Sequence, residues 1–349
     1  MVSILHLFPP AMCAKRNDDL RSAGSWRPAL DNGAPRPGEV ELRVHEALTC
    51  RTAPAFCRAV EERMRVAPRH FWINLEEVKA SDVVGLAALL QTVRRAESAR
   101  VPLSILPSPS VYRALLYAGI LDEMPLEGPG AGPALSMPEP HGEHPEAAPS
   151  FLVETSRFGL RPPAWDELGT FEQWANDPLL EQMVGSQLLY RCRHLGPYHP
   201  DFAAQVLHDP TALTLLVLPL DEPAEPVGFV RLHNVNLAEA FAFLETAVVQ
   251  ARSLRAGWGI QASRLLLAYA MDALGLRRVE AKAYAYNVLS INSLKRNGFR
   301  QEGVLREARA YDGQRWDILL FGILEPEMRE QRARDRFPYM GFWEPDADP

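Results

Sequence analysis

The sequence predicts an α/β protein with two domains. At 349 residues the chain is long enough for two. Residues 127–150 contain six prolines, four glycines and neither lysine nor arginine, which is typical of a flexible linker. Strand-like and helix-like segments alternate on both sides of it. We therefore predict a disordered segment (1–37), a first domain (38–126), the linker (127–150), a second domain (151–325) and a C-terminal tail (326–349).

The first domain reads as alternating short strands and amphipathic helices. In the clearest helix, Val83, Leu86, Leu90 and Val93 recur at helical spacing. The predicted strands are Glu39–Glu46, His70–Leu75 and Pro102–Leu106, and the predicted helices are Pro54–Val66, Val83–Ala96 and Ser110–Tyr117.

Two glycines open a long apolar helix in the second domain. Gly257 and Gly259 follow a strand predicted to end near Val249, and the helix runs from about Ile260 until Gly275 stops it. Glycine permits a tight turn and a close ligand approach, and the unpaired amides and dipole of a helix N-terminus favour phosphate. The alternative is a turn whose glycines serve only geometry.

The loop differs from the two common nucleotide motifs. Ala262 replaces the third glycine of a dinucleotide-binding loop, and no Lys-Ser/Thr pair follows as in a P-loop. The predicted phosphate therefore belongs to another ligand.

Residues 150–325 resemble the GNAT superfamily of acyl-CoA-dependent N-acetyltransferases, and most closely its branch that acetylates ribosomal-protein N-termini. The coenzyme loop of that family is matched by Leu254-Arg255-Ala256-Gly257-Trp258-Gly259, with both glycines in place and Leu254 as a departure. Asn287-x-x-Ser290 and Gly298-Phe299 match its C-terminal signature. The resemblance implies a mixed-sheet α/β domain with acetyl-CoA as co-substrate.

The same resemblance implies that the fourth and fifth strands of the domain splay apart around the acetyl group. A backbone amide near Ala247 to Val249 would then polarise the thioester carbonyl. The implied coenzyme-binding residues are Ala247, Val248, Val249, Arg252, Leu254, Arg255, Ala256, Gly257, Trp258, Gly259, Ile260, Asn287 and Ser290.

Glu245 is the candidate general base, because a carboxylate among apolar strand residues should have a raised pKa. A surface position or an ion pair is the alternative. Ser290 is a second catalytic candidate, although it is better suited to capping the next helix. Many GNAT enzymes place a tyrosine acid where Leu294 stands, so protonation of the leaving thiolate stays unassigned among water, Ser290 and a substrate group.

The first domain, over residues 38–126, resembles a STAS domain, the fold of anti-sigma-factor antagonists. The Asp-Ser-Ser-Gly turn of that family carries a phosphorylatable hydroxyl, and here the turn is Asp82-Val83-Val84-Gly85. The phosphorylation switch is therefore lost. Ser81 is the expected helix cap, with Asp82 as its rival. The domain either docks or senses a protein partner, or it serves only dimerisation or solubility.

Composition limits the classes of partner. The net charge of −7 with no long basic run argues against nucleic acid, and no apolar run approaches the length of a bilayer-spanning helix. The four cysteines form no C-x-x-C pair and no zinc-spaced cluster with histidine, so no metal site is predicted and a reducing cytoplasm fits best.

We therefore predict an acyltransferase that moves an acetyl group directly from acetyl-CoA to a primary amine, either a protein N-terminus or a small molecule. One alternative is a catalytically weak acetyl-CoA sensor that signals through the STAS domain. Another is a stress-signalling scaffold, against which Val83 and Val84 argue. Acceptor loops are expected around residues 179–209, where His194, Tyr198 and His199 either line a site or form ordinary loop surface.

Overall fold

The computed structural model describes residues 37–127, 150–220, 225–248 and 257–343. The predicted disordered segment and linker fall outside these ranges except at their borders, and part of the predicted coenzyme loop does so too. The mixed α/β class predicted from the sequence is confirmed in both halves of the chain.

The first domain is built on a three-stranded parallel sheet in the order β1-β2-β3. Each strand is followed by a helix, so every connection between parallel strands crosses over the sheet. The order is β1 (Glu39–Arg43), α1 (Ala53–Met64), β2 (His70–Leu75), α2 (Val83–Ser98), β3 (Leu103–Pro107) and α3 (Pro109–Tyr117).

The N-terminus of α2 corrects one expectation. Asp82, not Ser81, is the cap, because its carboxylate accepts hydrogen bonds from the amides of Val84 and Gly85 at 3.0 and 2.9 Å. Its second oxygen accepts a bond from the amide of Cys50 at 2.8 Å. A carboxylate can satisfy three amides at once, whereas a serine hydroxyl cannot.

The second domain contains an eight-stranded sheet in the order β10-β11-β9-β8-β7-β6-β5-β4. All neighbours are antiparallel except β8 and β9, which are parallel. The strands are β4 (Val153–Glu154), β5 (Phe158–Arg161), β6 (Leu213–Pro219), β7 (Gly228–Asn236), β8 (Phe241–Val248), β9 (Arg278–Tyr284), β10 (Arg300–Tyr311) and β11 (Gln314–Leu324).

Helices cover both faces of this sheet, and the alternation of side chains along a strand assigns residues to each face. On β6, Leu216 and Leu218 pack in one hydrophobic cluster while Leu215 and Val217 pack in the other. The first cluster lies under α4 (Gly169–Ala175), α5 (Pro178–Met183), α6 (Gln187–Leu195) and α7 (Pro200–Leu207).

The opposite face packs against α8 (Trp258–Asp272). Two further helices complete the domain, α9 (Val288–Arg296) and α10 (Glu325–Asp335). Helix α10 lies almost wholly in the stretch predicted as a tail. Its Arg332 pairs with Asp272 at 2.9 Å, which ties the helix to the end of α8.

Gly85 marks the tightest contact of α2. A Cβ at this position would lie 1.9 Å from the carbonyl oxygen of Leu48, so the backbone would have to move. We expect Gly85→Ala to lower the free energy of unfolding by about 1–3 kcal/mol, because overpacking exceeds the helix-propensity gain of alanine. Chemical denaturation measures this change.

Gly303→Ala is the control, because a Cβ there would lie 3.5 Å from its nearest neighbour, which is ordinary contact. If Gly85→Ala and the control have the same free energy of unfolding, α2 is not packed tightly on the β1–α1 loop.

Candidate functional site

Strands β8 and β9 pair over a short distance and then separate. Their register covers only Phe241–Arg278, Ala242–Val279 and Phe243–Glu280. Beyond this point β9 continues to pair with β11, as far as Tyr284, and β8 continues to pair with β7, as far as Val248. The predicted splay is therefore present, and it leaves the β9 side of the upper half of β8 open for a ligand.

The N-terminus of α8 lies beside this opening. Gly257 caps the helix with φ +73°, the left-handed region that favours glycine. A Cβ on Gly259 would contact Val248 at 3.4 Å, and Ser263 hydrogen-bonds Thr246 at 2.8 Å. These contacts hold the positive end of the helix dipole against the end of β8.

The other residues predicted to bind the coenzyme lie at the end of β8, in the first turn of α8 or outside the described residues. Ala247 and Val248 are buried at the end of β8, and Trp258 stacks on Phe158 with ring centroids 5.3 Å apart. Ile260 lies in the first turn of α8. The predicted contacts at Val249, Arg252, Leu254, Arg255 and Ala256 lie outside the described residues.

Glu245 lies on β8 just past the point where the strands separate. Burial raises the pKa of this carboxyl, against the lowering effects of Arg231 and of the Ser186 hydroxyl. Its Oε1 atom is buried and has no hydrogen-bond partner among the residues that the structure describes. The expected shift is therefore present, and the free oxygen can accept a proton or a hydrogen bond.

Arg231 faces Glu245 across the β7–β8 pair. Its Nη1 lies 4.0 Å from Glu245 Oε2, and its Nη2 lies 3.9 Å from Asp209 Oδ2. These pairs are long for direct hydrogen bonds. The buried Nε also has no partner within the described part of the chain. The trio carries a net charge of −1 when both carboxylates are ionised.

The end of α5 and the loop that follows it contact the end of β9 and the turn beyond it. Tyr286 Oη donates to the carbonyl of Gln182 at 2.8 Å, and Asn287 Nδ2 donates to that of Met183 at 2.8 Å. The hydroxyl of Tyr284 lies so close to Gly185 that a Cβ there would clash at 1.8 Å. These contacts hold the loop after α5 against the end of β9.

Asn287, and not Ser290, caps α9, which corrects another expectation. The Asn287 Oδ1 atom accepts the amide of Ser290 at 3.0 Å, and helix α9 begins at Val288. Ser290 Oγ accepts a hydrogen bond from Asn287 Nδ2 at 2.7 Å. Leu294 is buried, and its hydrocarbon side chain has no proton to donate.

All these elements surround one cleft of about 570 Å³. Its polar lining includes Ser186, Gln205, Asp209, Thr211, Arg231, His233, Glu245, Thr246, Ser263, Lys282, Tyr284, Asn287, Ser290 and Ser293. The suggested acceptor residues His194, Tyr198 and His199 are not among its lining. His194 packs on Tyr190, His199 caps α7, and Tyr198 donates to the carbonyl of Asp166.

Sequence reasoning missed Arg231, Asp209 and His233. One signal was present: Arg231 and His233 alternate with Val230 and Leu232 in an apolar strand, which places both polar groups on one face. Asp209 gives no such signal, because it lies in a loop and tertiary packing alone brings it to Arg231.

Two family models match the chain. An acetyltransferase (GNAT) domain matches residues 157–300, and a STAS domain of the Mlab type matches residues 34–126. An uncharacterized N-acetyltransferase, p20 of Bacillus licheniformis, is 34% identical over 71 residues, which are 20% of this chain and 40% of that protein. The chain thus spans less than half the length of this relative.

Solved structures similar to this chain include two acetyltransferases. Spermidine N-acetyltransferase from Vibrio cholerae, in complex with CoA and spermine, is 17% identical and matches with a TM-score of 0.43 over 50% of this chain and 99% of its own. RimJ from Mycobacterium smegmatis, in complex with CoA-disulfide, is 24% identical with a TM-score of 0.43 over 51% and 89%.

The chain therefore contains a GNAT acetyltransferase domain fused to an N-terminal STAS domain. Within residues 37–127, 150–220, 225–248 and 257–343, no helix is long and apolar enough to cross a bilayer. The same ranges contain no group of three or more histidine, cysteine or acidic residues placed to hold a metal ion.

His233 makes the stability of this site depend on pH. Burial, followed by the charges of Arg231 and Lys282, lowers its pKa from 6.5 to about 4. Between these values the unfolded chain binds the proton and the folded chain does not, so stability falls as the pH falls. From pH 7 to pH 4 we expect this histidine to cost about 3 kcal/mol of unfolding free energy.

Chemical denaturation of wild type and His233→Gln across this pH range measures the effect, because glutamine does not titrate. His194→Gln is the control, since His194 is exposed. The prediction fails if the pH slopes of wild type and His233→Gln coincide.

Proposed function

We propose that this protein is an N-acetyltransferase that moves an acetyl group from acetyl-CoA directly to a primary amine. One observation supports this most strongly. The separation of β8 and β9 places Glu245, buried and with a raised pKa, in a cleft beside the glycine-capped N-terminus of α8. A thioester held along the opening and an amine approaching from the acceptor side would meet there.

The helix N-terminus supplies the coenzyme end of the site. The first amides of α8 point out of the helix without intrahelical partners, and the dipole favours the pyrophosphate of the co-substrate. Gly257 adopts a left-handed conformation, and its missing side chain leaves the approach to these amides free. The pantetheine arm would pass between β8 and β9, and the Asn287 and Ser290 side chains line this part of the cleft.

Glu245 would act as the general base. The amine nitrogen attacks the thioester carbon, its surplus proton passes to Glu245 Oε1, and the carbon–sulfur bond breaks to release the coenzyme thiolate, which takes up a proton. An amide at Ala247 or Val248 would stabilise the oxyanion formed on attack. Positioning supplies much of the rate, because no covalent enzyme intermediate is needed.

Two buried polar atoms without hydrogen-bond partners favour an acceptor that carries an oxygen near its amine. Glu245 Oε1 lacks a donor and Arg231 Nε lacks an acceptor within the described residues. An α-amine followed by a carbonyl, as at a protein N-terminus, supplies both partners. A polyamine supplies donors alone and would leave the Nε of Arg231 without an acceptor. A protein N-terminus is therefore the acceptor that we propose.

The STAS domain would serve partner docking or regulation. A catalytically weak acetyl-CoA sensor is the second candidate, and the buried Leu294 favours it because the position expected for the acid has no proton to give. In this case the coenzyme would bind without turnover.

Calorimetry with acetyl-CoA, together with thiol release in the same sample, tests the proposal. We expect binding, and thiol release with a lysine-free peptide that has a free N-terminus. Release with spermine should be at least about tenfold slower, because a site that hydrogen-bonds a substrate group rejects the analogue that lacks it.

The same peptide with a blocked N-terminus is the control and should release no thiol. Binding without release on any amine supports the sensor. Faster release with spermine than with the peptide contradicts the acceptor, and absence of binding contradicts the assignment of the cleft to acetyl-CoA.

Glu245→Gln tests the general base. We expect turnover to fall by about 10²-fold or more while the dissociation constant of acetyl-CoA stays nearly unchanged, because glutamine keeps the shape but cannot accept the proton. Wild-type turnover should rise with pH as the carboxyl ionises, with an apparent pKa above that of an ordinary glutamate. This inflection should be absent in the variant.

Glu239→Gln is the matched control, since Glu239 is an exposed glutamate in the turn that leads into β8. It should retain both turnover and pH profile. If Glu245→Gln keeps wild-type turnover across the pH range, Glu245 is not the base.

A further inference from the structure

Helix α2 of the STAS domain and helix α8 of the acetyltransferase domain each contain a stretch of about two turns that is buried on all sides. Every residue from Val83 to Leu90 is buried, as is every residue from Leu265 to Met271. A helix that only covers a sheet keeps a polar outer face. The sheet of its own domain covers one side of each helix, so another element must cover the opposite side.

One face of α2 turns away from the STAS sheet toward the second domain. Val84, Ala88, Gln91 and Arg95 share this face at helical spacing. Gln91 Nε2 donates to the carbonyl of Ala273 at 2.7 Å, and this carbonyl belongs to the C-terminal cap of α8. The Arg95 guanidinium lies 4.6 Å from the ring centroid of Trp343.

The N-terminal end of α2 also lies near this domain. Tyr269 of α8 is buried, and burial together with the neighbouring Cys50, Asp82 and Cys57 raises its pKa well above the ordinary value. Asp82 is the cap of α2, so the phenol of Tyr269 lies near the start of this helix. Buried side chains from both domains belong to one hydrophobic cluster, which is separate from the cluster under α4 to α7.

The first turn of α2 lies at this contact. Val83 and Val84 occupy it here, and both are fully buried. A phosphorylated side chain at this position would place about two negative charges in an apolar core, at a large desolvation cost. The valines therefore suit permanent contact with another apolar surface.

We propose that the partner of this STAS domain is the acetyltransferase domain of the same chain, bound through the α2 face around Val84, Ala88 and Gln91. Docking covers the side of α8 that faces away from its own sheet and holds the C-terminal end of the helix through Gln91. It thereby positions the N-terminal end of α8, which lies at the coenzyme site. The positioning of the coenzyme site rests on the proposed function, whereas the docking of the two domains does not.

Amide hydrogen exchange on the full chain tests docking without any ligand. Ala88→Glu places an unpaired carboxylate in the interface, and amide exchange in α8 should accelerate about tenfold or more as the domains separate. The control is Ala55→Glu, the same substitution at an exposed position of α1, which should leave exchange in α8 at the wild-type rate.

Gln91→Ala is a milder second variant, which tests the same interface if Ala88→Glu does not fold. It removes one hydrogen bond and leaves the apolar contacts intact, so exchange should increase at the last turn of α8 and stay unchanged within β1, β2 and β3. If amide exchange in α8 stays at the wild-type rate in both Ala88→Glu and Gln91→Ala, the docking proposal is wrong.

The acetyl-CoA dissociation constant of the same variants tests the positioning role. We expect it to rise about threefold to tenfold in Ala88→Glu, and acetyl-CoA should slow exchange in α2 of the wild type, because linkage is reciprocal. If exchange in α8 accelerates but the acetyl-CoA dissociation constant does not change, the positioning role is wrong and the docking proposal stands. If the wild type binds no acetyl-CoA, the proposed function fails while the exchange result for docking still stands.

Discussion

The early separation of β8 and β9 is the constraint on which the rest of this site depends. A continuous parallel pair would satisfy the backbone of both strands and leave no space for a ligand. Here the pairing ends at Phe243 and Glu280, and other neighbours hold the two strands apart: β7 holds β8, and β11 holds β9. The opening is therefore built into the sheet, and it costs little further ordering when a substrate arrives.

Burial of charge beside this opening gives the site its chemical character. Glu245, Arg231 and Asp209 lie close together, yet their ion pairs are long, and one atom each of Glu245 and Arg231 has no partner in the described part of the chain. Unpaired buried polar atoms are costly, and they persist in folded proteins mainly where function requires them. The raised pKa of Glu245 follows from the same burial, since Arg231 compensates for desolvation only in part.

Much of the fold was predictable because local patterns specify it. The strand His70–Leu75 has the predicted bounds, and α2 and α8 begin within two residues of their predicted starts, since apolar periodicity and flanking glycine or polar residues mark such boundaries. Helix caps were harder. At α2 the capping residue follows the expected serine, and at α9 it precedes the expected serine. In both helices the side chain of the cap also bonds a distant backbone group, Cys50 in one case and Met183 in the other.

The sequence by itself determined the two domain families, the glycine-capped helix and the candidate base, because each depends on neighbouring residues in the chain. Only the tertiary structure brought Asp209 and Arg231 to Glu245, excluded His194, Tyr198 and His199 from the cleft, and placed α2 against α8. The periodicity of α2 shows that it is apolar, but an apolar face does not specify its partner. Packing across more than a hundred residues of sequence decides this, and no local pattern encodes it.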